Sequence, residues 1–210
     1  MTDSPNSNIQ QTTRAKVWLE PDQIDHLRTA CYDDSFASYL QQRNETIIAL
    51  FADTGLRVGE LVGVDVAMLR DDTTKLYLPT HIQKDYPTDE SPPPVTISLA
   101  PDTTRTLKSY LSSRWKETDA LFPSRKSDRI TTQGVRYAVE RVAEVAGVEP
   151  WRLDGSRGET ADVTPHALRH SVAYRMLHTE DGNTLYDVRN RLRHTSIQTT
   201  ERVYDHFKMV

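Results

Sequence analysis

The apolar positions along the chain switch between helical and strand spacing, and each switch marks an element. After Pro21, the residues Ile24, Leu27 and Ala30 recur at threes, one buried face of a short helix opened by a proline in its first turn. The dense run Ile47, Ile48, Leu50, Phe51 predicts a core helix over about 43–54, which Gly55 can stop in the left-handed conformation. A further short helix follows from Arg57 to Val62. Residues 76–78 and 95–97 are β-formers set between turn chemistry, and predict a small antiparallel sheet with a long, Pro-rich connection over 85–94. Helical spacing returns after Pro101 with Leu107 and Leu111, then with Val135, Val139, Val142 and Ala146 behind a cap at Thr131 or Thr132. Residues 151–163 read as a polar loop. Pro165 opens a helix carrying Leu168, Val172 and Met176 that Gly182 and Asn183 end; Thr184 caps one running to about His194, and a last one runs from Ser196 to Tyr204. The prediction is a mainly α fold with a small antiparallel β-sheet, an α+β domain over residues 17–210. Residues 1–16 are polar and aperiodic and read as a disordered tail.

Length and composition agree with one ordinary domain: 210 residues, 37% hydrophobic. The single cysteine, Cys31, excludes an internal disulfide framework and a multi-cysteine zinc site, and fits a reducing, cytoplasmic setting. No apolar run approaches a membrane span, and no signal-peptide core opens the chain. The net charge of −4 argues against nucleic acid until it is divided. Residues 1–104 carry 8 Lys or Arg against 16 Asp or Glu, and residues 105–210 carry 18 against 14, so a net −8 half precedes a net +4 half. That split points to a basic surface in the second half. Nineteen arginines against seven lysines, and 19 aspartates against 11 glutamates, suit either a high-salt cytoplasm or a GC-rich genome.

Three segments carry chemistry. In TPHALRHS, residues 164–171, His166 and Arg169 share one face of a helix's first turn, where amides, dipole and guanidinium together favour a phosphate. His166 and His170 have the i,i+4 spacing of a metal pair, but the acid that zinc proteases place beside the first histidine is missing. In ADTGLRVGELVGV, residues 52–64, Arg57 stands at a helix junction, with Glu60 placed to support the turn or pair with an arginine. In LRHTSIQTTERVYDH, residues 192–206, His194 and Tyr204 flank a short helix; alone, Tyr204 reads as a packed aromatic.

In this order the segments resemble the catalytic domain of the tyrosine recombinases, the phage-integrase family that includes the Xer proteins. The resemblance rests on T-G-L-R-x-x-E-L, H-x-x-R and the spacing from the last histidine to the tyrosine, and covers residues 19–207. It implies a catalytic set of Arg57, Lys84, His166, Arg169, His194 and Tyr204, with Lys75 as the other candidate for the lysine. By that resemblance Tyr204 attacks a DNA phosphodiester to give a 3′-phosphotyrosyl bond and a free 5′-hydroxyl. Arg57, Arg169 and His194 hold the phosphate oxygens, Lys84 protonates the leaving oxygen, and His166 assists proton transfer from the tyrosine. One ester replaces another, so neither ATP, metal nor cofactor is implied. The partners implied are double-stranded DNA and further copies of the chain, four in the synapse. The other activities compatible with these residues are DNA binding without catalysis and relaxation of the type IB topoisomerase kind. The chain departs from the family pattern in three ways. Arg193 stands where a glycine usually precedes the last histidine, six residues follow Tyr204, and no separate N-terminal core-binding domain is expected.

Overall fold

The computed structural model describes residues 17–84, 91–194 and 196–204. The expected tail over 1–16 and the first part of the Pro-rich connection, 85–90, lie outside the described residues. A two-residue strand β1 (Val17–Trp18) leads into helix α1 (Pro21–Ala30), whose start is fixed by Pro21 and by Gln23 Oε1 accepting the Glu20 amide. Helix α2 (Ser38–Thr54) is the central element, with eleven buried residues, and Gly55 ends it at φ 61°. A short helix α3 (Val58–Gly63) follows directly.

Strands β2 (Leu69–Arg70), β3 (Lys75–Leu78) and β4 (Val95–Ser98) form an antiparallel sheet in that order, with Leu76 opposite Ile97 and Leu78 opposite Val95. Leu76, Leu78 and Ile97 are buried while Lys75 and Thr96 face out, the alternation expected of a sheet with one wet face. The β2–β3 turn holds Asp71, Asp72 and Thr73 in the left-handed region, at φ 49°, 54° and 65°. Helices α4 (Pro101–Ser113) and α5 (Thr132–Ala146) then pack on the core. Thr131 caps α5 by accepting the Gly134 amide, and Gly147 closes it. Strand β5 (Trp151–Arg152) pairs antiparallel with β1, so the segment read as a loop opens with a second small sheet.

The last three helices, α6 (Pro165–His178), α7 (Leu185–Leu192) and α8 (Ile197–Tyr204), share an apolar cluster of Val172, Ala173, Met176, Leu185, Val188, Leu192 and Tyr204. Helix α6 ends at Thr179, ahead of Gly182, because Thr179 already closes the last turn onto the Arg175 carbonyl. Thr184 and Asp187 form a reciprocal cap on α7. Ser171 Oγ accepts the Leu19 amide at 2.8 Å, tying the segment between β1 and α1 to α6. Among the described residues no helix is long and apolar enough to cross a membrane.

Candidate active site

The site is built around the C-terminal end of α2. A helix leaves its last carbonyls without intrahelical partners and carries the negative end of its dipole there. Four arginines take those carbonyls. Arg175 Nη1 donates to Ala52 O at 2.6 Å, Arg191 Nη2 to Asp53 O at 2.8 Å, Arg193 Nη1 to Thr54 O at 3.4 Å, and Arg169 Nη1 to Gly55 O. Gly55 is needed twice over. Its φ is positive, and a Cβ there would collide with Leu192 Cδ2, so only glycine lets the end of α7 come this close.

Arg191 pairs with Asp53 at 2.7 Å and Arg175 with Glu180 at 2.9 Å, and Glu60 is the counter-charge for Arg193, Arg57 and Arg169. It is 1% exposed; Oε2 accepts the Arg57 amide at 2.7 Å and Arg193 Nη2 at 2.9 Å, while Oε1 accepts Arg57 Nη1 at 2.9 Å. Burial pushes its carboxyl up, but Arg193, Arg57 and Arg169 outweigh that and hold it below the ordinary carboxylate range. Arg57 Nη2 also donates to Arg193 O at 3.1 Å, and Arg169 Nη2 to Leu192 O, so both arginines grip the turn between α7 and α8. Arg193 holds that turn at φ 55°, a conformation in which glycine would be unstrained; its side chain, anchored to Glu60 and to Arg191 O at 2.8 Å, offsets the cost. Burial, then Arg57 and Arg193, lowers Arg169 to about 9, which leaves it charged at neutral pH.

Of the sequence-expected residues, Arg57, Arg169, His194 and Tyr204 come together here. His194 Nδ1 meets Thr200 Oγ1 at 2.9 Å, and its ring lies parallel to the Tyr204 ring, 6° off plane with centroids 5.8 Å apart. Burial and the surrounding arginines lower His194 to about 3, so it is neutral near pH 7; in the tautomer in which Thr200 Oγ1 donates to Nδ1, Nε2–H is the free hydrogen-bond donor. Tyr204 is 1% exposed, and burial pushes its phenol up to about 12 against the opposing pull of Arg169 and Arg57. His166 keeps an exposed edge on the first turn of α6; desolvation of its inner side, then Arg169 and Arg57, lowers it below the usual imidazole value. Lys84 is exposed and lines a cleft of about 420 Å³ with Arg57, Glu60, Gly63, His81 and Ile82. Lys75 lies on β3 and pairs with Asp71 at 2.7 Å, both on the surface.

Sequence reasoning missed one member. His170 Nδ1 lies 2.9 Å from Tyr204 Oη, and the ring of His166 packs edge-on against His170 with centroids 4.3 Å apart. The i,i+4 spacing of the two histidines was the available signal; the structure uses it to reach a tyrosine. The basic second half also proves less of a free surface than its net charge suggests. Among the described residues, nine of its cations, including Arg129, Arg152, Arg175, Arg191 and Arg193, are in ion pairs with carboxylates. Among the described residues no group of three or more His, Cys, Asp or Glu is placed to hold a metal.

The fold and site have counterparts among known proteins. Solved structures sharing the fold include XerA recombinase, with a TM-score of 0.68 and 23% identity over 92% of this chain and 61% of that one. XerH site-specific recombinase bound to its difH substrate matches at 0.66, with 19% identity over 99% of this chain and 55% of that one. The Tn1549 transposon integrase in complex with transposon right end DNA matches at 0.70, with 19% identity, over 93% and 64%. In sequence, tyrosine recombinase XerC of Bifidobacterium longum (strain DJO10A) is 33% identical over 183 residues, 83% of this chain and 46% of its own. XerC of Shewanella amazonensis (strain ATCC BAA-1098 / SB2B) is 27% identical over 186 residues, 87% and 54%. The chain thus spans about half the length of the curated relatives it matches. With the profile described as "Phage integrase family" matching residues 17–209, which include every described residue, the chain belongs to the phage integrase family.

Proposed function

We propose that residues 17–210 form the catalytic part of a site-specific DNA recombinase or integrase that works through a covalent 3′-phosphotyrosyl intermediate. The observation that carries this reading is the gathering of Arg57, Arg169, His194 and Tyr204 from segments far apart in sequence into one cationic pocket beside a buried phenol. Phosphoryl transfer needs charge around the non-bridging oxygens and an attacker in line with the leaving group. Arg57, held by Glu60 and Arg193 O, and Arg169, held by Gly55 O and Leu192 O, supply fixed positive charge and their remaining N–H donors, and neutral His194 is positioned to add a further donor. Tyr204 Oη forms the bond to phosphorus as the P–O5′ bond breaks, and Lys84, beside Arg57 in the same cleft, gives its proton to the departing 5′-oxygen. Because Tyr204 is covered, the arriving phosphate has to open the surface over it; α8, one short helix on one apolar cluster, is the element that can yield. The reading includes action on double-stranded DNA in the cytoplasm by several copies of the chain, four at a synapse.

The test is incubation with a pool of nicked duplexes carrying a randomised arm, so that the target sequence need not be chosen in advance. A protein–DNA adduct that survives SDS is expected from the unaltered chain and absent from Tyr204→Phe. Salt-sensitive binding with no adduct identifies a DNA-binding protein without catalysis, and relaxation of a supercoiled plasmid lacking paired sites identifies a topoisomerase.

A further inference from the structure

Sequence resemblance assigns help with the tyrosine's proton to His166, yet the contact His166 makes is with another histidine. His170, one turn along α6, is 6% exposed, and its Nδ1 lies 2.9 Å from Tyr204 Oη, with ring centroids 5.3 Å apart at 72°. It is adjacent in sequence to Arg169, so the group facing the attacking oxygen and one of the groups expected to hold the phosphate are set on the same helical turn. The His166 ring meets His170 edge-on at 4.3 Å and 74°, and His166 is itself exposed, so the two imidazoles lie between the buried phenol and solvent. Among the described residues, the charged and titratable groups around that bond include His166 and Arg169 from α6, Arg57 from the start of α3, and Arg193 and His194 from the turn before α8.

We propose that His170 is the catalytic base that accepts the phenolic proton of Tyr204 when the tyrosine attacks. This rests on the reading of Tyr204 as nucleophile. Neutral His170, with its proton on Nε2, accepts the Tyr204 Oη proton at Nδ1 and becomes an imidazolium as the Oη–P bond forms and the P–O5′ bond breaks. The leaving O5′ takes its own proton from Lys84. On rejoining, Lys84 takes back the proton of the 5′-hydroxyl as that oxygen attacks phosphorus, the Oη–P bond breaks, and His170 returns its proton to Oη, so atoms and charge balance over the cycle. The negative charge of the bound phosphate sits beside the Tyr204–His170 hydrogen bond only when DNA is in place, which confines proton transfer to the loaded site. A phenol this buried, raised to about 12, has little reason to ionise by itself at neutral pH.

The experiment is single-turnover adduct formation with the randomised nicked pool, comparing the unaltered chain with His170→Asn, His170→Ala and Tyr204→Phe from pH 6 to 10. Asn keeps a short polar acceptor for Oη but cannot take the proton, so its rate should fall by about 100-fold or more at pH 7 and recover as pH rises. His170→Ala should fall similarly and regain rate when free imidazole is added, an effect a packing role does not produce. A His170→Asn rate within a few-fold of the unaltered chain, a His170→Ala defect that imidazole leaves unchanged, or faster cleavage in either variant overturns the assignment; the last would make His170 a latch on Tyr204. An adduct that persists in Tyr204→Phe, or none from the unaltered chain, refutes the nucleophile reading instead.

Discussion

Replacing Glu60 by Gln tests the idea that one buried carboxylate holds Arg57 and Arg193 in place. The substitution keeps the side chain's shape and one acceptor but removes the charge that serves Arg57 and Arg193, whose side chains are 30% and 9% exposed. Breaking a buried pair by removing one partner costs roughly 3–5 kcal/mol. The retained amide oxygen and the partial hydration of Arg57 reduce that here to about 2–3 kcal/mol. For a chain of this size 1 kcal/mol is about 2–4 °C in Tm, so the variant should melt roughly 4–12 °C lower at pH 7, measured by circular dichroism with urea titration alongside. Because the folded carboxyl lies below its ordinary value, its stabilisation is complete above the unfolded pKa of about 4.3 and is lost as pH falls through the folded pKa. The gap between the two proteins should therefore be full at pH 6–7 and close on acidification below about pH 4. Equal stability at pH 7, or a gap that widens in acid, would refute the role given to Glu60.

Other expectations follow from the same cluster. Arg193→Gly relieves a left-handed arginine, worth about 1 kcal/mol, but strips Glu60 of a buried partner, so urea melts should show a net loss; a gain would mean that the side-chain ties contribute little. Gly55→Ala meets both a positive φ and Leu192, and should cost at least about 2 kcal/mol and slow cleavage by displacing the turn that bears Arg193 and His194; unchanged melting and cleavage would contradict this. Thr73→Gly, in the strained β2–β3 turn, should stabilise by about 0.5–1 kcal/mol in the same assay, with no gain counting against the strain. His194 is held neutral to about pH 3, so the unfolded chain binds more protons between pH 3 and 6.5 and stability falls as pH drops through that window; His194→Asn should flatten that fall, by at most about 1.4 kcal/mol per pH unit, and an unflattened profile would place His194 in a wetter setting.

How much of this was legible in the sequence depended on range. The Pro21, Pro165 and Thr184 helix starts, the Gly55 stop and strands β3 and β4 were readable because caps, stops and alternation are local. Strands β1 and β5 were not, since two residues carry no period and their partners lie more than 130 positions apart. Chemical motifs exposed Arg57, His166, Arg169, His194 and Tyr204 as candidates. The role of Arg193 stayed hidden because the carbonyls it meets, at Thr54 and Gly55, belong to every sequence alike and become acceptors only where a helix ends. The contact from His170 to Tyr204 depends on α8 folding back onto α6, a tertiary event that no spacing encodes. Net charge misled for the same reason: many arginines of the basic half point inward, to carbonyls and carboxylates.

The central claim is that Tyr204 becomes covalently joined to DNA. Its most direct test is to trap the adduct on the randomised nicked pool, digest protein and DNA, and locate the remaining nucleotide by tandem mass spectrometry. The account predicts a 3′-phosphonucleotide on Tyr204 and on no other residue, with the released strand ending in a 5′-hydroxyl. A nucleotide found on a serine, a histidine or another tyrosine, or a 5′-phosphate on the released strand, would contradict it.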